Sequence, residues 1–466
     1  MKMDEANAKK RQAAVFTEGN EGNEGGADNA MRVHSAASRL NRYLRCLGLL
    51  LFSSLLFSSA AAEFIAGADM SHLVFFEDRG VVYRDNGEAR DALQILKDRG
   101  INCIRLRLFT SSAAQARANP YSYTNNLDYT LPLAIRVKNA GLKLMLDFHY
   151  SDTWADPEHQ SKPAAWNDLS FPELVQQMRS YNSNTIAAFQ AAGARPDFVQ
   201  VGNEITGGML WPDGKNIDAA HWQNLAGLMK AAVQGIDDAS GTNRPKIIVH
   251  IDRGGDWETT KWFFDNLAQR SVPFDIIGES YYPWWHGSLE ALQTCVSNAA
   301  NRYHKPVLVA ETAFPWANST NLVGFSASTN GQVEYVAALA KIVKNIPDDL
   351  GAGIIWWGTE YQQANGVPTA SFQFKSFFQT GGEVLPVATA FGQLAAPAIL
   401  NAQIDGAELR LNWPLGAAAM ELKSTSDLSL AGDWLPVTNP IECAGGFFST
   451  RLPIESSPRF FRLEAN

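Results

Sequence analysis

Short apolar runs recur along the chain, and amphipathic stretches separate them. The runs are FIAGAD, NCIRLRLF, LKLMLDFH, DFVQVGNE, KIIVHID, FDIIGESYY, PVLVAE and GAGIIWWG. Near-continuous apolar character marks strands covered on both faces. Between them, EARDALQILKDRG, LDYTLPLAIRVKNAG, PELVQQMRSYNSNTIAAFQAAG and WQNLAGLMKAAVQGIDDA read as helices, several ending at Gly as helix C-termini do. Eight such strand-helix units over residues 63–397 predict an α/β fold, a (β/α)8 TIM barrel. A doubly wound open sheet is the alternative, but no GxGxxG turn follows an early strand.

Beyond residue 397 the pattern changes. AELRLNWP, AMELKSTSDL, WLPVTN, GFFSTRL and RFFRLEAN are short, alternating or aromatic, and set apart by Gly, Pro, Asp and Asn. They predict a small C-terminal all-β module over 398–466. It loosely resembles the fibronectin-like or immunoglobulin-like appendages of secreted bacterial enzymes, a likeness that leaves its role open.

The other end reads as a targeting segment. Arg39, Arg42 and Arg45 precede the apolar LGLLLFSSLLF and the small residues SSAAAE, which is secretory order. Residues 1–62 are therefore expected to be a disordered polar extension plus a signal peptide, with Met31 a candidate start and a mature chain beginning near Glu63. Location is then secreted or periplasmic, with no stable membrane insertion after the signal is removed. Cys46 would leave with that segment, and Cys103, Cys295 and Cys443 form an odd set that implies no disulfide framework.

A net charge of −9, with no basic cluster in the body of the chain, argues against nucleic acid. A neutral ligand suits it better, and the 13 Trp offer flat faces of the kind that stack on sugar rings.

In a barrel the strand ends converge on one mouth. Read in order they are Asp69, Arg105 with Arg107, His149, Asn203 with Glu204, His250, Tyr281, Glu311 and Trp356. A packed core would be apolar there. Two glutamates, Glu204 and Glu311, each close an apolar run, 107 positions apart. Paired carboxyls at such a mouth point to glycosidic-bond chemistry.

The strings GADMS, NCIRLRLF, LDFHYSDTWADPEHQSKPAAW, VQVGNEITGGMLWPDG, IIGESYYPWWHGSL and VAETAF occur in the order and phase of glycoside hydrolase family 53, the endo-β-1,4-galactanases. The resemblance covers about residues 64–357 and rests on long strings. It implies a retaining hydrolase of β-1,4-galactan or type I arabinogalactan in plant cell walls; a monomer with no cofactor and no metal in the site is expected. It further implies Glu204 as acid/base and Glu311 as nucleophile, with the carboxyls roughly 5 to 5.5 Å apart. Asn203 would hold the 2-hydroxyl of the attacked ring, Tyr281 would bond the nucleophile, and Arg105 or Arg107 would keep it ionised. His149 and His250 would border the same ring, Trp285 would stack on sugar, and Trp356 would floor the cleavage subsite.

Two departures qualify this picture. Glu279 stands where an apolar residue is expected, two positions before Tyr281 and so on the same strand face. The loop after GIIWWGTEYQ lacks the usual ending, and no oxygen-ligand cluster between Gly358 and Gln379 marks a calcium site. Two other readings stay open: another clan A retaining hydrolase (mannanase, cellulase or arabinofuranosidase), or a non-catalytic sugar-binding barrel.

Overall fold

The computed structural model describes residues 63–429, 434–454 and 458–465. The expected extension, signal peptide and Cys46 lie outside them. Eight parallel strands close a barrel: β1 (Ile65–Asp69), β2 (Cys103–Leu108), β3 (Lys143–Phe148), β4 (Phe198–Val201), β5 (Lys246–Ile251), β6 (Ile276–Ser280), β7 (Val307–Thr312) and β8 (Gly351–Trp356). Each apolar run of the sequence supplies one of them, in order, and β1 closes the ring against β8.

Helices α1 (Ala92–Asp98), α2 (Leu127–Asn139), α3 (Phe171–Ala191), α4 (Ala219–Ser240), α5 (Trp257–Gln269), α6 (Leu289–Tyr303), α7 (Thr329–Lys344) and α8 (Pro386–Gly392) follow the strands in turn. Their starts are fixed locally. Asp91, Asp218, Asp256, Ser288 and Ser328 accept hydrogen bonds from backbone N–H groups in the first turn of α1, α4, α5, α6 and α7.

Two apolar layers hold the barrel. The larger lies between strands and helices. The smaller fills the lumen with Ile65, Cys103, Met145, Ile248, Ile276, Leu308, Ala310 and Ile355, all buried. Cys103 is thus interior filling. Because alternate residues face inward, the lumen side continues upward through Arg105, Arg107, Asp147, Gln200 and His250, so its lining turns from apolar to polar towards the carboxyl end.

One irregularity matters for function. In β7, inward Leu308 and Ala310 would put Thr312 inside, but the pairing with β6 jumps from Glu279–Val309 to Ser280–Glu311. This β-bulge leaves Ala310 and Glu311 opposite one residue, so both face the lumen. Thr312 turns out and bonds Tyr335 at 2.6 Å.

After the barrel come β9 (Asn401–Asp405), β10 (Glu408–Pro414), β11 (Met420–Thr425), β12 (Leu435–Pro436), β13 (Glu442–Ala444), β14 (Phe447–Pro453) and β15 (Phe460–Ala465). They form a four-stranded sheet ordered β9-β10-β14-β13 and a three-stranded sheet ordered β12-β11-β15. Leu411, Trp413, Leu422, Val437 and Leu452 make their shared core. β9 and β13 are additions to the strands expected from the sequence. The turn before β14 lies flat on α8: a Cβ on Gly446 would come within 2.7 Å of Ala390 Cα.

Candidate active site

The mouth of the barrel is organised around Arg105. It is wholly buried, and its three nitrogens reach five oxygens. Nε donates to Gln200 Oε1 at 3.2 Å, Nη1 to Asp69 Oδ2 at 2.9 Å, and Nη2 to Asp147 Oδ2 and Asn203 Oδ1, both at 2.8 Å. Nη1 also forms an ion pair with Glu311 Oε1 at 2.9 Å. A planar fork of five N–H groups suits such a set, and a buried guanidinium without it would be strongly destabilising. Three carboxylates more than offset its burial and raise its pKa.

Glu311, at the bulge, is 5% exposed. Its second oxygen accepts a hydrogen bond from Tyr282 Oη at 2.8 Å. Glu204 reaches the same cavity from the turn after β4, where Gly202 (φ 83°) and Glu204 itself (φ 50°, ψ 48°) are left-handed. For a non-glycine residue that geometry costs about 1 to 3 kcal/mol. It aims the side chain at Ser280, whose hydroxyl donates to Glu204 Oε1 at 2.6 Å.

Behind Ser280 runs a chain of buried hydrogen bonds. Burial, then Arg105, depresses the pKa of His250 far below the ordinary value, so the ring is neutral. Gln200 Nε2 lies 3.0 Å from its Nδ1, and its Nε2 lies 2.8 Å from Ser280 Oγ. Asn203 Oδ1 also lies 3.1 Å from that Nδ1, so a continuous set of hydrogen bonds links Gln200 and Asn203 through His250 to Ser280, which donates to Glu204. His149 is held otherwise. Its Nδ1 accepts the Ala155 N–H at 2.8 Å, which leaves the proton on Nε2, 3.0 Å from Asp147 Oδ2.

Arg107, His149, Trp154, Ala155, Asp156, Asn203, Glu204, Tyr282, Trp285, Glu311, Trp357 and Phe372 line a cavity of about 230 Å³. Past Glu204 and Trp285 a second, of about 600 Å³, continues between Asp156, Pro157, Glu158, Asp252, Arg253 and His286. Together they make a groove whose Glu311 end is aromatic and whose Glu204 end is charged.

The two carboxyls sit in opposed settings. Burial, the Glu311 charge and Asp252 together push Glu204 well above the usual carboxylate range. Burial pushes Glu311 up too, but Arg105 and Tyr282 pull it back. Of the pair, Glu204 keeps its proton to higher pH.

Several expected positions are corrected by one residue or one layer. Tyr281 does not reach Glu311; its hydroxyl donates to Gly287 O at 2.9 Å, and Tyr282 makes the carboxyl contact. Trp356 does not floor the cavity. It is fully buried among Tyr335, Phe377 and Phe391 and donates to Lys375 O at 2.8 Å, while Trp357 lines the cavity. Both errors are of face: Ile276, Gly278 and Ser280 point inward, so Tyr282 does, and Ile355 leads to Trp357 in the same way. Arg105 and His250 point inward but lie beneath the cavity, and they touch its lining rather than its space. Glu279, which the sequence places on the face of Tyr281, turns outward under α5 with that tyrosine.

Arg107, His149, Asn203 and Trp285 do line the cavity, with Trp285 66% exposed and Arg107 stacked 4.1 Å from the Trp154 ring centre. Asp152 organises its loop through Thr110, Gln115 and the Ala164 N–H, whereas Asp156 lines the groove. Sequence reasoning missed Asp147, Gln200 and Ser280. For two of them the signal was present, since Asp147 stands two positions before His149 and Ser280 two before Tyr282, whereas Gln200 has Phe198 and Gly202 at those places.

Comparison with known proteins agrees with this architecture. A family model described as "Glycosyl hydrolase family 53" matches residues 65–391. A Niallia circulans protein from the bgaB 5' region is 42% identical over 316 residues, 63% of this chain and 83% of its own. Arabinogalactan endo-beta-1,4-galactanase A of Aspergillus niger is 35% identical over 322 residues, 66% of this chain and 88% of its own. Among solved structures, the GH53 catalytic domain of Ignisphaera aggregans superposes with a TM-score of 0.64 at 35% identity, covering 71% of this chain and 95% of that one. A fungal beta-1,4-galactanase gives 0.63 at 32% identity, over 71% and 99%. The chain is a glycoside hydrolase and belongs to glycosyl hydrolase family 53.

Proposed function

We propose that the protein is a retaining endo-β-1,4-galactanase acting on galactan or type I arabinogalactan. The observation that carries the reading is one cavity with two glutamates in unequal settings: Glu204 pushed towards its acid form, Glu311 pushed less because a cation and a phenol hold it. Its Aspergillus niger relative bears the name of that activity. A groove running past both carboxyls suits an internal stretch of polymer better than a chain end.

In the first step a Glu311 oxygen attacks the anomeric carbon, the glycosidic C–O bond breaks, and the Glu204 proton passes to the departing oxygen. In the second, Glu204 takes a proton from water, whose oxygen displaces Glu311 and restores the starting configuration. Asn203 has its carbonyl oxygen held by Arg105 and Gln200 and one N–H given to Ala155 O, which leaves one N–H for a sugar hydroxyl. Trp154, Trp285 and Trp357 offer ring faces to sugar.

Timed digestion of linear β-1,4-galactan tests the assignment, with mannan and cellulose in parallel and the first anomer read by proton NMR. Internal cleavage of galactan alone, with retention, is expected. Cleavage of mannan or cellulose instead transfers the protein to another specificity, and an inverted first product removes the two-step scheme.

Activity is expected to fall as pH drops and Glu311 takes up a proton, and again as pH rises and Glu204 loses one. Glu204→Ala should lower turnover of galactan about 10²- to 10⁴-fold and flatten the alkaline limb. Loss should be far smaller with an aryl galactoside whose leaving group needs no proton, and equal losses on both substrates contradict the acid role. Tyr282→Phe removes a donor to the Glu311 carboxylate, which raises its pKa; kcat/KM should fall about 10-fold or more and the acidic limb should move to higher pH. Tyr281→Phe should leave both within about twofold, by the same reasoning.

A further inference from the structure

Glu279 takes no part in the chemistry above, yet it is an acid with no solvent exposure in the wall of the barrel. Its Oε2 accepts the Arg253 N–H at 3.2 Å, and its Oε1 lies 3.0 Å from Thr260 Oγ1 in α5. Thr260 Oγ1 is also 3.3 Å from Arg253 O, which only accepts. Cys295 of α6 closes the cluster, its Sγ 3.5 Å from Arg253 O and 3.4 Å from Thr260 Oγ1. Among the described residues no ion pair reaches the Glu279 carboxyl, and the Arg253 guanidinium turns to Asp252 instead, at 3.5 Å.

An ionised carboxylate there would be a buried charge without a cation. A neutral acid fits the hydrogen count: its O–H goes to Thr260, the Thr260 hydrogen to Arg253 O, and its other oxygen takes the Arg253 N–H. The Arg253 N–H is then satisfied by this cluster, and Arg253 O, which takes the Asp256 N–H at 2.8 Å, gains a further donor. The turn so held carries Asp252, which Thr206 grips at 2.5 Å and which lines the groove with Glu204.

We propose that Glu279 is a positioning residue that works as a protonated acid, pinning the Asp252–Arg253 turn so that the Asp252 carboxyl faces Glu204 across the groove. The groups facing Glu279 are Thr260 and Cys295 from the helices and Asp252 and Arg253 from the turn. Burial, followed by Asp252, favours its neutral form over the opposing Thr260 and Arg253 contacts. Asp252 in turn favours the protonated state of Glu204, so a loosened turn should make the general acid stronger and lose it at lower pH. The inference rests on reading Glu204 as that acid.

Glu279→Gln keeps a neutral acceptor and donor in the same shape. It should keep kcat/KM on galactan within about threefold and leave the alkaline limb in place. Glu279→Leu removes both bonds; kcat/KM should fall about 10-fold or more, and the alkaline limb should move to lower pH. Infrared difference spectra of wild type minus Glu279→Gln at neutral pH give a readout independent of activity, and a protonated-carboxyl stretch should vanish. Loss of ionised-carboxylate bands instead overturns the protonation. A Glu279→Gln profile displaced as far as that of Glu279→Leu, or a Glu279→Leu profile equal to wild type, overturns the positioning role. Failure of the wild type to cleave galactan would count against the substrate assignment, and the infrared result would stand apart from it.

Discussion

Glu311→Ala is expected to reduce kcat on galactan by about four orders of magnitude, about 5 kcal/mol of transition-state stabilisation, because no other group can form the covalent intermediate. The β-bulge puts this carboxyl in the lumen, with Arg105 on one oxygen and Tyr282 on the other. Its removal should leave folding largely intact, since Asp69 and Asp147 still pair with the buried Arg105. Added azide should restore cleavage of an activated galactoside by entering the space vacated and taking the anomeric carbon as the aryl group departs, giving a galactosyl azide of inverted configuration. Near wild-type turnover without such an addition rules Glu311 out as the nucleophile.

The fold was legible because its signal is redundant. Eight covered strands and the helices between them repeat one arrangement, and an error in any single run would not have changed the architecture. The site was legible in part. Polar residues at the ends of apolar runs, such as His149, Asn203 and Glu204, announce themselves because burial of such groups needs a reason. Which of two adjacent residues faces the lumen is less visible when both are aromatic, as in Tyr281–Tyr282 and Trp356–Trp357, since neither is out of place on either face. Counting by twos from Ser280 or Ile355 resolves these pairs. The same count fails in β7, where it would turn Thr312 inward, because nothing in PVLVAET marks the bulge at Ala310. Depth was not legible at all: Arg105 and Arg107 share a strand and a face, yet only the second lines the cavity.

Arg105→Met is the second large prediction. It leaves Asp69, Asp147 and Glu311 buried without their shared cation, and should cost about 3 to 5 kcal/mol of stability at neutral pH, read by denaturant unfolding. The sign of its pH dependence follows. Arg105 lowers the pKa of Asp147 and of Glu311, and without it burial holds their folded-state values above the unfolded ones, so the variant's deficit should narrow as pH falls and they take up protons, and widen as pH rises through those values. Arg105→Lys should recover part of the stability, but a single ammonium cannot span five oxygens, and kcat should remain about 100-fold low. A stable, active Arg105→Met protein would show that the other contacts alone align the site.

The guanidinium that ties Asn203 to Glu311 is a single flat group of fixed bond lengths. The spacing between Glu311 and Asn203, the neighbour of Glu204 in the chain, is consequently set by covalent dimensions more than by how tightly the surrounding wall is pressed together. Warming that makes the wall breathe should carry strands β4 and β7 along in step at this level, through the one cation they share.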